Sequence, residues 1–154
     1  EMCIRDRSKV CRYSGGSFKH EIQYGDDKSP LYSNPLFICE NTNLDICVSD
    51  FERNAVVVVD PSGGFLFNYT GGKAFENNEY KFRPRGLACD SLKHILVSDD
   101  LNSTVHIINH NGHFLQFIDN CGLQSPQDLS ISDNDELYVV VNHEDILKVI
   151  SYLA

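Results

Sequence analysis

The sequence predicts an all-β chain assembled from repeated four-stranded units, and three observations predict it. The segment Ile46-Cys47-Val48-Ser49-Asp50 returns 49 residues later as Ile95-Leu96-Val97-Ser98-Asp99. Short runs rich in β-branched and aromatic residues alternate with Asn, Asp and Gly turn signals. No segment carries a long helical apolar period with caps at its ends.

Residues 1–8 are set apart as unstructured. Met2-Cys3-Ile4-Arg5-Asp6-Arg7 fits none of the later patterns and resembles a translated sequencing adaptor more than a native protein segment. Residues 9–24, with Gly15-Gly16 as their turn, read as the last two strands of one unit, which ends near residue 34. A full unit follows over 35–82. At the 49-residue shift Val56 and Val58 fall on Val105 and Ile107, Gly63 on Gly112, and Phe65-Leu66 on Phe114-Leu115, without a gap. The next unit, 83–125, has expected strands at 85–89, 94–98, 104–108 and 113–118. A second register of 42 residues carries Pro84-Arg85-Gly86-Leu87 onto Pro126-Gln127-Asp128-Leu129 and opens an incomplete last unit, 126–154. There Val139-Val140-Val141 replaces the Val-Ser-Asp of its predecessors. A repeat of roughly 40 to 50 residues with four strands per unit is the signature of a β-propeller blade. Three blades, the last incomplete, with the end of another before them, make a partial ring. The repeated apolar positions Ile46, Val48, Val56, Val58, Ile95, Val97, Val105, Ile107, Leu137, Val139, Leu147 and Val149 are expected to be buried between blades.

Composition narrows the function classes. Of 154 residues, 22 are Asp or Glu and 13 Lys or Arg, a formal net charge of −9. That balance opposes a general nucleic-acid binder, whose affinity rests on clustered Lys and Arg, and DNA is not an expected partner. No run approaches the roughly 18 to 20 apolar residues of a membrane helix, and the first residues lack the pattern of a secretory signal. The expectation is a cytoplasmic protein with no membrane partner. The 6 cysteines include no Cys-x-x-Cys and read as small buried or edge thiols in a reducing compartment.

Residue by residue, the chain resembles a known family. Pro84-Arg85-Gly86-Leu87 with Asp90, then Ile95-Leu96-Val97-Ser98-Asp99, Val105-His106-Ile107-Ile108 and Gly112-His113-Phe114-Leu115 resemble the NHL repeat. The segment from Asn43-Leu44-Asp45-Ile46 through Ala55-Val56-Val57-Val58-Val59, with Phe82-Arg83-Pro84-Arg85-Gly86 after it, resembles the C-terminal propeller of tripartite-motif (TRIM-NHL) proteins of the invertebrate type. The resemblance spans residues 9–154 and implies a six-bladed ring. It further implies a non-catalytic module that selects substrates for an E3 ubiquitin ligase, whose zinc-binding RING and B-boxes lie outside this segment. No cofactor is expected here.

Catalytic patterns are missing. No Gly-x-Ser-x-Gly elbow occurs, and no Asp-x-Asp-x-Asp-Gly loop supports a calcium site around Asp50, Asp99 and Asp100. Each of these aspartates is expected to accept hydrogen bonds from turn amides. His106, His110 and His113 are expected to be solvated turn residues. Binding is assigned to the loops between second and third strands and between blades, which share one face. That face gathers Phe51, Arg53, Leu101, Asn102 and His143, with Arg83, Arg85 and Gln127 nearer the central channel. Phe51 and Leu101 are apolar side chains in polar turns, which suits a protein-recognition anchor. RNA is the alternative ligand, carried by Arg53, Arg83 and Arg85 and opposed by the surrounding Asp50, Glu52, Asp99, Asp100, Glu144 and Asp145. A weaker third reading is a secreted lyase-like or scaffolding propeller.

Overall fold

The computed structural model describes residues 8–72, 81–142 and 146–153. Of residues 1–8, expected to be unstructured, 1–7 lie outside the described residues, while Ser8 is described and its hydroxyl donates to Ser33 O at 2.9 Å. Thirteen strands occur among those described, and they form four antiparallel sheets. A hairpin of β1 (Val10–Ser14) and β2 (Ser17–Ile22) is followed by the first full sheet, β3 (Pro35–Glu40), β4 (Ile46–Asp50), β5 (Ala55–Val59) and β6 (Phe65–Tyr69). The second comprises β7 (Pro84–Cys89), β8 (Ile95–Asp99), β9 (Thr104–Ile108) and β10 (Phe114–Ile118). A three-stranded sheet of β11 (Pro126–Ile131), β12 (Glu136–Val141) and β13 (Ile146–Ser151) ends the chain. Neighbours in sequence are neighbours in each sheet, as expected of meandering blades, and β3, β7 and β11 each open a full or incomplete blade with a proline.

The middle strands are apolar on successive residues because both of their faces are covered. Cys47, Val56 and Val58 pack toward the second blade, with Leu87, Ile95, Val97 and Ile108. Ile46, Val48, Val57 and Val59 turn the other way, onto Val10, Ile22 and Tyr32. Leu96, Val105 and Ile107 meet Leu129, Leu137 and Val139 of the last blade. Alternation along a strand thus sorts side chains into two different cores. Gly86 marks a close approach between the innermost strands β7 and β11, since a Cβ there would lie 2.6 Å from Asp128 Cα and Leu129 N.

Ten of the twelve repeated apolar positions are buried, and two are not: Leu147 is 58% exposed and Val149 53%. Both pair across to β12 beside Val140 and Tyr138. That face of the last blade looks away from the preceding one and, among the described residues, has no sheet against it. Ile150, on the opposite face, is buried in the shared core.

One turn design recurs at five hairpins on one side of the molecule. Asn41, Asp60, Asp90, Asn109 and Ser132 each begin a five-residue turn, and a side-chain oxygen of each accepts the amides two and four positions on. The fourth residue of these turns has positive φ: Leu44, Gly63, Lys93, Gly112 and Asp135. Asx and Ser side chains fix such turns without help from the sheet.

Candidate functional site

The opposite side carries the loops that join second to third strands and blade to blade. Asp50 and Asp99 end β4 and β8 at the same place in successive blades, and both are fully buried. Asp50 accepts the amides of Ser33 at 2.6 Å, Asn34 at 3.1 Å and Arg53 at 3.0 Å. Asp99 accepts those of Leu101 and Asn102, each at 3.2 Å, and Arg83 at 3.4 Å. Each carboxylate ties its own turn to the segment entering the blade. In the last blade the equivalent position is Val141, paired with Pro126.

Asp100 behaves differently from these two. Its side chain is only 3% exposed and holds two guanidinium groups, Arg83 Nε on Oδ1 and Arg85 Nε on Oδ2 at 3.0 Å. Gln127, from the last blade, reaches the same Oδ2 at 3.5 Å and also donates to Ser125 O at 3.2 Å. The Arg85 guanidinium lies 4.7 Å above the centre of the Phe51 ring, a cation–π contact that bridges the first and second blades. Four of the residues picked from sequence, Phe51, Arg83, Arg85 and Gln127, therefore meet around one buried carboxylate. Arg83 and Arg85 stay about one-third and one-quarter exposed, with side-chain values of 35% and 26%, and planar Arg groups keep further donors available in such pairs.

The remaining candidates are placed elsewhere. The Arg53 guanidinium donates to the carbonyl of Pro30 and lines a separate groove of about 370 Å³ with Asp26, Asp27 and Phe65. Asn102 is bound into its turn, its amide group donating to Asp99 Oδ2 at 2.7 Å and Lys81 O at 2.8 Å. Leu101 projects outward and is 47% exposed. His143 lies outside the described residues.

Sequence reasoning missed Asp100 as the hub. Its signal was present: at the 49-residue shift Asp100 falls where the preceding blade has Phe51, so one blade supplies the anion and its neighbour the aromatic ring. His106 also corrects an expectation. It is fully buried on β9, with Nδ1 2.8 Å from Tyr69 OH and Nε2 3.3 Å from Asp99 Oδ2, rather than solvated in a turn. Burial first, and then the charge of Asp99, push the Tyr69 hydroxyl well above its usual pKa. His110 and His113 are exposed, as expected. A third grouping went unread: Cys39, Cys47 and Cys89 bring their Sγ atoms within 4.8 Å of one another, a set of soft ligands able to hold a metal.

No family model matches the chain, and no curated protein matches it. Solved structures do. Streptogramin B lyase aligns with a TM-score of 0.70 at 14% identity, covering 94% of this chain and 45% of that one. Virginiamycin B lyase from Staphylococcus aureus aligns at 0.64 and 16% identity, covering 92% and 48%. Kuenenia stuttgartiensis hydrazine synthase aligns at 0.63 and 14%, covering 77% and 33%. The shared fold is the β-propeller. The chain spans about half the length of the two lyases, so its four sheets are a partial ring. At such identities the likeness concerns fold alone.

Proposed function

We propose that this chain is part of a non-catalytic, cytoplasmic, substrate-recognition propeller of the NHL type, serving a TRIM-NHL E3 ubiquitin ligase. The observation that carries the reading is the cluster on the loop side, where Phe51, Arg83, Arg85 and Gln127 gather about Asp100. Aromatic and Arg side chains already held in place lose little conformational freedom on contact with a partner, and such residues dominate protein interfaces. Leu101 adds an exposed apolar side chain on the same side. The NHL-like repeat residues supply the family expectation, and fold likeness alone assigns no chemistry.

RNA is the less favoured ligand. Arg83 and Arg85 are both paired with a buried carboxylate, so a phosphate gains less from them than from free cations. Lyase activity is known here only as the description of two structural neighbours, and no observation at the cluster favours it.

The test is quantitative capture of protein partners by the full-length protein and its Phe51→Ala, Arg85→Ala and Leu101→Ala variants at two salt concentrations. Phe51→Ala and Arg85→Ala should each weaken capture by about 2 kcal/mol. Arg53→Ala, which sits in a different groove, should change little. Unchanged capture by all variants rejects the loop side as the recognition surface. A loss confined to arginine variants that vanishes at high salt points to RNA instead.

A further inference from the structure

The cysteine cluster lies on the side of the molecule opposite the Asp100 site, and nothing in the proposed recognition function uses it. Cys39 near the end of β3 and Cys47 near the start of β4 are register partners across the antiparallel pair, so their side chains leave the sheet on one face. Cys89 ends β7, the innermost strand of the next blade, and approaches from across the interface. Cys39 and Cys89 bring their sulfurs to 3.2 Å, and all three lie within 4.8 Å of one another. Thiolates bound to one metal at about 2.3 Å stand roughly 3.8 to 4.0 Å apart, so Cys39 and Cys89 need only part by a fraction of an ångström to share an ion. Cys47 is fully buried while Cys39 and Cys89 are half-buried.

We infer that Cys39, Cys47 and Cys89 form a three-thiolate site, shared by two blades, for one thiophilic d10 metal ion of the Zn(II) or Cu(I) class. Thiolate sulfur is the ligand that selects these ions over hard cations. Coordination forms three metal–sulfur bonds and releases the three thiol protons to solvent. Zn(II) completes a tetrahedron with a water on the half-buried side, whereas Cu(I) is satisfied by the three sulfurs. Because the ligands come from two sheets, the ion acts as a clip between blades and stabilises the folded state by mass action.

Titration of the reduced protein with Cd(II), and separately with Zn(II) and Cu(I) against a competing chelator, tests this. The expected result is one ion per chain, a sulfur-to-metal charge-transfer band with Cd(II), and a higher melting temperature for the bound form. Cys39→Ser, Cys47→Ser and Cys89→Ser should each weaken binding by more than about 100-fold, the upper range for losing a mere outer-shell partner. A variant with Cys3, Cys11 and Cys121 all changed to Ser keeps only the three clustered thiols and should bind like the parent. Melting of each metal-free variant separates loss of a ligand from loss of fold, and Cys89→Ala provides a second version of the half-buried position. Zn(II) and Cu(I) arms that differ in affinity identify the ion. Equal binding by the single variants, no ion retained by the parent, or a Cys39–Cys89 disulfide that persists under reductant overturns the assignment.

Discussion

Asp50 shows how much one buried side chain can hold. It accepts three backbone amides from segments on either side of β4, and Asp50→Ala would leave those part-buried donors without their acceptor. The expected cost is about 3 kcal/mol, read from the shift in urea midpoint at unchanged slope. Val141 occupies the same place in the last blade, and its replacement by Ala should cost no more than an ordinary cavity. Tyr32 provides a pH signature at the same scale. Burial, then the charge of Asp50, raises its hydroxyl from 10.0 to about 12 in the folded chain. The unfolded chain therefore releases this proton first, and stability should fall as pH rises from 10 to about 12. Urea midpoints across that range check the slope, which Tyr32→Phe should flatten. The role of the repeated aspartates was legible because each acts on amides only a few residues away or at the entrance of its own blade. His106 was not, because only part of its cover is local: Phe117 of its own blade packs against it, but Tyr69 arrives from the preceding blade and Phe82 from the segment between blades. No local spacing records that.

At the level of elements, strand positions followed the turn chemistry closely. The expected strands at 85–89, 94–98, 104–108 and 113–118 lie within one residue of β7 to β10 at either end, because Asx-led turns leave the strands little room to slide. The innermost strands carry a tighter constraint. Gly86 lies against the backbone of β11 with no space for a methyl group, and flexible side chains cannot yield where backbone meets backbone. Gly86→Ala should cost about 2 to 3 kcal/mol through displacement of β7 from β11, measured by thermal unfolding. The glycine was readable in the Pro-x-Gly-Leu pattern, but its reason was not. That reason lies in the 42-residue partner segment, where Gln127-Asp128 stands in place of Arg85-Gly86. The thiol cluster escaped for a similar cause: two of its members are paired by hairpin register, and the third is brought in only when blades stack.

Among the described residues, two blade faces of the molecule are uncovered. At one end Leu36 and Ile38 of β3 are 41% and 57% exposed, since the β1–β2 hairpin covers only the middle of the adjoining sheet. At the other, Leu147 and Val149 look outward. In repeat architectures each unit draws stability from its neighbours, so these faces are where further blades are expected to add stability. Leu147→Lys with Val149→Thr should lower self-association of this chain while changing its stability by less than about 0.5 kcal/mol. Light scattering and melting curves check both parts. The same pair placed in a chain carrying the remaining blades should destabilise it, because the face would then be interior.

The pairing of Asp100 with Arg83 and Arg85 also bears on kinetics. A visiting carboxylate would find a seat already taken by a resident one, the buried Asp100 supplied by the chain itself. Entry then becomes an exchange between tenant and visitor, in which one set of charged hydrogen bonds is surrendered as another forms. An acidic solute gains little from such a trade, while a partner that lays a flat apolar or aromatic surface over Phe51 and Leu101 leaves the resident in place and gains in full.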